Sequence, residues 1–375
     1  MDYKLKNIKN HCNDGVSLLI LVNSYLLINS IMINNEVTLS RKNCKINTSQ
    51  HLFRWLVVDY MKIIKSSVEV KEQEPGIDGM FRHMEVIGRL SHKSENKITD
   101  DSYINFISLM KKIGHWAVFD MGTVYLKFSV FNLRLLWKLL KHHPFSKLVV
   151  HGLNVYATTT YRIILQENIE PEMEKYWIEP TKYHKKRVTA HFICSRAISH
   201  ELVRHASLRP LQESTRYCNY GGSKFGSEIT YILPQWVYAV RDEVGNTVDP
   251  LTGESREWIL KEDGQELWDI LCCYDRTVAS RDRKLKEAEK EYMWEISTTE
   301  SHKLRPEDAR GGLPHDLKTE LYMCGYQEDW CMVPKTAERT GFFYLRSDKS
   351  AHPDVRVLSQ ELEKIFKEKG YYETD

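Results

Sequence analysis

His200-Glu-Leu-Val-Arg-His-Ala-Ser-Leu-Arg-Pro-Leu-Gln-Glu-Ser-Thr-Arg-Tyr-Cys-Asn-Tyr220 gathers three arginines, two histidines, two acids and three serines and threonines into one run. Guanidinium forks match phosphate oxygens, and hydroxyls with backbone N–H groups fill the remaining lone pairs, so the run reads as an anion site. Spacing predicts a helix over residues 196–206, with Ile198, Leu202 and Val203 towards a core. On such a helix Glu201 lies three and four residues before Arg204 and His205 and can hold both on one face. Pro210 then breaks the pattern. A structural salt-bridge network is the competing reading.

Working outward, residues 188–194 and 228–233 alternate like strands, the second stopped by Pro234, as do 61–71 and 123–128. Asp100-Asp-Ser102 offers an N-cap for a helix through Ile104, Ile107, Leu109 and Met110 that ends near Gly114. Residues 115–120 read as a loop carrying an imidazole and a carboxylate, and 129–187 as a mixed section ending in a charged hinge at 182–187. After a loop at 242–254, one long helix is expected over 257–295, its charged run 281–291 being a solvated face with no binding role. A last amphipathic helix spans 354–369. These elements give an α+β fold, a mixed or antiparallel sheet with flanking helices. No G-x-G-x-x-G or Walker loop is present, so a nucleotide is not held in a Rossmann or P-loop manner.

At 375 residues the chain can bury a large core. Apolar residues make up 42% and charged residues 28%, as in a soluble globular protein, and the formal charge is only +2. No whole-molecule field attracts nucleic acid or an anionic membrane, so neither is expected as a partner. Eight cysteines without C-x-x-C spacing point to reduced thiols and a cytoplasmic location. Cys194, Cys218 and His205 lack the second close-spaced pair of a zinc site, and no metal is expected. Residues 1–60 form an atypical extension: Lys4, Lys6 and Lys9 precede an apolar run at 16–28 that imitates a signal peptide, but Asn23 and Ser24 interrupt it. Met61 is an alternative start. The expected organisation is this extension, then a catalytic domain over 61–375 with insertions near 236–300 and 331–340.

Arg204-His205, then Ser214, Arg216 and Tyr217, resembles the signature of flavin-dependent thymidylate synthases, the ThyX family. Four more segments follow in the order that family requires: Gly88-Arg-Leu-Ser91, Gly114-His-Trp-Ala-Val-Phe-Asp120, Ala309-Arg-Gly-Gly-Leu-Pro314 and Leu345-Arg346 with Asp348. The resemblance implies a ThyX-like fold that makes dTMP from dUMP, with FAD reduced by NADPH and 5,10-methylenetetrahydrofolate as one-carbon donor. It implies dUMP at Glu201, Arg204, Gln212, Glu213, Ser214, Thr215, Arg216, Arg310 and Arg346. It implies FAD at Ser91, His115, Ala117, Arg204, His205, Ala206, Gln212, Tyr326, Gln327, Glu328 and Gly341. Arg346 is the implied catalytic residue, aligned with an arginine that favours the N3-ionised uracil, and Ser214 reads as a ligand donor, not a nucleophile. A homotetramer with active sites shared between subunits is also implied.

The sequence departs from the family pattern in places. Ala206 stands where an arginine is usual, with Arg209 as the nearest replacement charge; Leu211-Gln212 replaces Asn-Glu, and Glu201 replaces Gln. These departures motivate a second reading, a catalytically weakened member that still binds nucleotide or flavin. A third, from another class, is a single-stranded nucleic-acid-binding protein that uses Arg204, Arg209 and Arg216 with Tyr217 and Tyr220 for stacking.

Overall fold

Alternating apolar residues build nine strands among the described residues: β1 (Met61–Ile64), β2 (Ser67–Lys71), β3 (Thr123–Ser129), β4 (Lys147–His151), β5 (Asn154–Thr160), β6 (Arg187–Ser195), β7 (Arg209–Gln212), β8 (Ile229–Ile232) and β9 (Lys318–Tyr326). The structure is a computed structural model that describes residues 61–221, 229–297, 303–332 and 340–372. The apolar run at 16–28 and the rest of the 1–60 extension lie outside the described residues, as does most of 331–340. Asp59–Asp375 forms one unit.

The fold is α+β, with its strands divided among three sheets. An antiparallel sheet of order β2-β6-β9-β7 is central, β3-β5-β4 forms a second antiparallel sheet, and β1 pairs with β8 in parallel. The stretch expected as one strand over 61–71 therefore splits at Lys65-Ser66, because its halves serve different cores. Met61 and Ile63 bury with Tyr231 and Trp268, whereas Val68 buries with Phe192 and Leu321.

The faces of β6 and β9 differ in chemistry. Val188, Ala190, Phe192, Leu321 and Met323 share one core with Pro353–Glu368, the last helix of the chain. That helix starts with proline in its first turn and buries Val355, Leu358, Leu362 and Phe366 along one stripe. Each of these side chains contributes about 1.5–3 kcal/mol by leaving water. On the other face Tyr322 and Cys324 join a core that includes Met84 and Ile87 of helix α1 (Gly76–Leu90) and Phe106 and Met110 of helix α2 (Ser102–Ile113).

Gly114 ends α2 as expected, with φ +70°. Asp101 occupies the N-cap position but its side chain caps nothing; the Ser102 hydroxyl instead accepts from Thr99 N–H at 2.9 Å. The expected loop at 115–120 contains a helical turn, Trp116–Phe119. The expected hinge at 182–187 ends in a buried residue, since Arg187 donates to Asp120 O at 2.8 Å and Thr123 Oγ1 at 3.1 Å.

The expected helix over 257–295 is three elements: a 3-10 turn at Glu257–Lys261, then Gly264–Tyr274 and Arg276–Ser297. Aspartates make the breaks. Asp263 accepts from Gly264 N–H at 2.7 Å, and Asp275 from Thr277 and Val278 N–H at 2.8 and 2.9 Å.

Candidate functional site

Arg196–Leu202 (α3) begins with Ser195, whose hydroxyl accepts from Ile198 N–H, and it stops earlier than the apolar spacing predicts. Arg204 and His205 lie in turns beyond it, where the chain bends to enter β7. The expected Glu201 grip on those two residues is replaced: the Glu201 carboxylate lies 3.8 Å from Arg346, and Arg346 donates to Glu201 O at 2.9 Å. Arg204 is exposed and has no ion pair among the described residues. Pro210 does not break the run but sits within β7, an edge strand, paired with Met323. Arg209 turns away from the site, its guanidinium 3.7 Å above the Phe145 ring.

Beyond β7 the chain folds back over the turn that follows α1. Glu213 N–H donates to Glu320 O at 2.9 Å, extending the ladder, and Ser214 N–H donates to Ser91 O at 3.3 Å, joining the two turns. His92 lies 4.5 Å from the Tyr217 ring and 6.5 Å from that of His115. Burial lowers the pKa of both histidines, and His115 also disfavours a charge on His92, so neutral rings line this edge. Arg310 donates to Thr215 Oγ1 at 3.0 Å, and Arg216 lies 3.7 Å from Glu307. Ser91, His115, Ser214, Thr215, Arg216 and Arg310 thus gather around these two turns, with the arginine heads exposed.

Beneath the turns lies a charge cluster. Lys93 and Lys318 both contact Glu320, and reach Glu213 at 3.7 and 3.4 Å. His191 bridges Glu320 at 3.1 Å and Glu69 at 3.2 Å, stacked 4.2 Å from Tyr322. Burial opposes ionisation of Glu320, yet its hydrogen bond to His191 and the two lysines hold its carboxyl well below the usual carboxylate range. Burial likewise works against the Lys93 ammonium, and Glu213 and Glu320 together outweigh it and raise the pKa.

On the other side of the sheet the arrangement is less complete. His205 is buried with its ring 5.6 Å from Phe342 and hydrogen-bonded to the Asp329 backbone, while its Nε2 has no partner. Arg346 Nε is buried and unpartnered as well. Burial, and then the Arg346 charge, lower the pKa of His205, which keeps the imidazole neutral near pH 7. Gln212 uses its amide N–H groups within the fold, donating to Ser199 Oγ at 2.8 Å and Thr319 Oγ1 at 3.1 Å.

A family model described as thymidylate synthase complementing protein matches residues 181–369, just over half of the chain. The chain belongs to that family. Among curated proteins none matches it by sequence. Solved structures similar to it include a UMP/dUMP methylase, PolB, from Streptomyces cacaoi, bound with 5-Br dUMP (14% identity, TM-score 0.32, 82% of this chain and 92% of that one covered). The same protein bound with 5-Br UMP gives 13% identity and a TM-score of 0.32, over the same shares of the two chains. Superpositions this loose carry no weight for fold or function. The thymidylate-synthase-complementing match takes in the Arg204–Tyr217 signature and the Arg310 and Arg346 segments, whereas the Ser91 and His115 segments precede it.

Not every expected residue converges. Tyr326 donates its hydroxyl to Thr158 O at 2.6 Å and Phe145 O at 3.0 Å, tying the two antiparallel sheets together. Glu328 pairs with Lys147 and lies 3.7 Å from Lys185, and Gln327 N–H donates to Lys186 O. A Cβ on Gly341 would stand 2.5 Å from Met332 N, so this glycine permits a close backbone approach. Ala117 is half-buried and Ala206 exposed. Among the described residues no group of His, Cys, Asp and Glu could hold a metal ion, and no helix is long and apolar enough to cross a membrane. Sequence reasoning missed Lys93, Lys318, Glu320 and His191. Apart from the Lys318–Glu320 contact along β9, the partners that make the cluster are distant along the chain, so no local spacing could reveal it; the only hint was that each lysine stands beside a motif.

Proposed function

We propose that this chain makes dTMP from dUMP, using FAD, NADPH and 5,10-methylenetetrahydrofolate. Membership of the thymidylate synthase complementing family supports the overall activity. The observation that carries the finer reading is the meeting of Arg346 and His205, each with a buried, unpartnered nitrogen, within the matched region. Buried polar atoms without partners are rare, and these two fit a ligand that carries both kinds of group: Arg346 Nε–H donates, while the neutral His205, whose other ring nitrogen already bonds the Asp329 backbone, offers Nε2 as an acceptor. Ser91, His115, Ala117, Arg204, His205 and Ala206 would hold the flavin; Tyr326 and Glu328 are engaged inside the fold and fit it less well. A bound, reduced flavin would supply the hydride equivalent needed to complete the methyl group.

The protein's own residues bind and polarise. Ser214, Thr215, Arg216 and Arg310 would hold the nucleotide phosphate, with Arg204 as a further exposed cation, while Glu201 positions Arg346 through its carbonyl. Arg346 would place positive charge where negative charge grows on the pyrimidine, which is worth most where water is excluded. Ser214 lacks an imidazole partner among the described residues; its Oγ accepts from Arg216 N–H at 3.4 Å. Burial pushes the Cys194 and Cys218 thiols up to about 12, which suits neither to attack a pyrimidine ring. The exposed arginines leave room for a neighbouring subunit to complete the site, in keeping with a homotetramer.

Rescue of a thymidine auxotroph that lacks its own synthase tests the activity. Growth without thymidine, and a purified protein with the visible absorption band of an oxidised flavin, are the expected results. No rescue by a protein that is folded and yellow would favour the weakened-member reading that Ala206 motivates. A folded, colourless protein that gains no flavin on addition of FAD would sink the flavin assignment.

A further inference from the structure

We propose that Lys93 is a positioning residue that clasps the Ser91–His92 turn to the Ser214–Arg216 turn and thereby couples the flavin and nucleotide subsites. The inference rests on the ligand assignments proposed above, which give Ser91 to FAD and Ser214–Arg216 to dUMP. Three observations carry it. First, the turns are joined by Ser214 N–H donating to Ser91 O at 3.3 Å, a bond long enough to need support. Second, Lys93 lies two residues after Ser91 and is the left-handed residue, φ +47°, that closes helix α1, where Lys93 N–H donates to Leu90 O and Ser94 N–H to Arg89 O, both at 3.2 Å, so its backbone is fixed within the turn. Third, its side chain is only 15% exposed and runs inward to Glu320, to Glu213 at 3.7 Å and to Glu95 at 3.9 Å.

Glu213 directly precedes Ser214, and its N–H is fixed to Glu320 O. Lys93 therefore grips the nucleotide turn at its root while belonging to the flavin turn. Lys318 contacts the same two carboxylates from β9 and so balances the charges, but it belongs to neither turn and cannot join them. Loss of Lys93 leaves Glu213 and Glu320 sharing one lysine, and the turns held together by one hydrogen bond and the His92–Tyr217 ring contact. With the clasp in place, ordering one turn by its ligand also orders the other, so each ligand strengthens binding of the second by the same factor.

The test is FAD titration by flavin fluorescence, with and without saturating dUMP, on the full chain and on Lys93→Met and Lys93→Arg. In the wild type dUMP should tighten FAD binding roughly tenfold, within the usual range for coupled sites. Lys93→Met should bind both ligands more weakly and lose the coupling, and Lys93→Arg should restore most of it. A merely structural lysine would lower both affinities and leave the coupling factor unchanged, which would overturn the proposal. Should Lys93→Met fail to fold, the charge-balanced pair Lys93→Met with Glu320→Gln takes its place, with the same expected loss. A wild type that binds both ligands without coupling overturns the clasp alone. One that binds neither overturns the functional reading and the clasp with it.

Discussion

The Glu213 cluster and the His205–Arg346 pair stand on different sides of the same four-stranded sheet and are satisfied to different degrees. In the cluster two lysines face two carboxylates, with His191 closing the far end. In the pair two buried nitrogens, Arg346 Nε and His205 Nε2, have no hydrogen-bond partner. Charges that answer one another within the chain hold turns in place. Polar atoms left without a partner inside a packed region are suited to something that arrives from outside, because desolvation has already been met and no native bond must break. The contrast separates holding from acting, although both regions flank one signature.

Arg346→Ala should have the largest effect. Removing a preorganised charge beside a developing anion typically costs about 10²–10³ in rate, so rescue of a thymidine auxotroph should fail while urea unfolding shifts little. A variant that rescues normally would erase the distinction drawn for this side of the sheet. Glu213→Ala should act in the opposite sense, through stability. It leaves Lys93 and Lys318 short of a carboxylate, and breaking a buried pair costs roughly 3–5 kcal/mol; these lysines keep some exposure, so about 3 kcal/mol is the expected loss in denaturant unfolding. An unchanged midpoint would mean that the cluster holds nothing.

Acid should separate the two regions more gently. The His205 pKa is depressed in the fold, so the unfolded chain takes up a proton first and stability falls as pH drops below about 6.5. His83, buried and lowered to about 4, adds a slope of the same sign. Each group contributes at most roughly 1.4 kcal/mol per pH unit. Glu320 is depressed too, but as a carboxylate its contribution is present above about 4.5 and is lost only as pH falls further. Unfolding midpoints of the wild type and His205→Gln between pH 7 and 5 should converge as pH falls, because the variant lacks one slope. Parallel curves would show that the His205 environment does not penalise its charge.

Strands β3, β6 and β8, helix α2 and the last helix were legible in the sequence, because each carries a regular apolar alternation or stripe and several have a clear stop such as Gly114 or Pro234. Division among sheets was not, since the alternation of residues 61–71 shows no sign that its halves join different cores. The expected helix over 257–295 was misread for a related reason. Acid–base spacing looks the same through a break, and Asp263 and Asp275 count as ordinary charges until they are seen to cap. At the site, the signature placed Ser214, Thr215, Arg216 and Arg310 around one turn, whereas the Glu201 partner was wrong because α3 ends at Leu202. Lys93 was beyond reach, as its meaning depends on residues from two other segments, those of Glu213 and Glu320.

Pro210 has a consequence for how the molecule behaves in a crowded solution. It lies in β7, the four-residue edge strand of the central sheet, where its missing N–H leaves a gap in the row of groups a foreign strand would need. An open edge invites growth by addition of further chains, and a short strand carrying proline is poor at templating it. A residue within the family signature therefore also guards the sheet against aggregation.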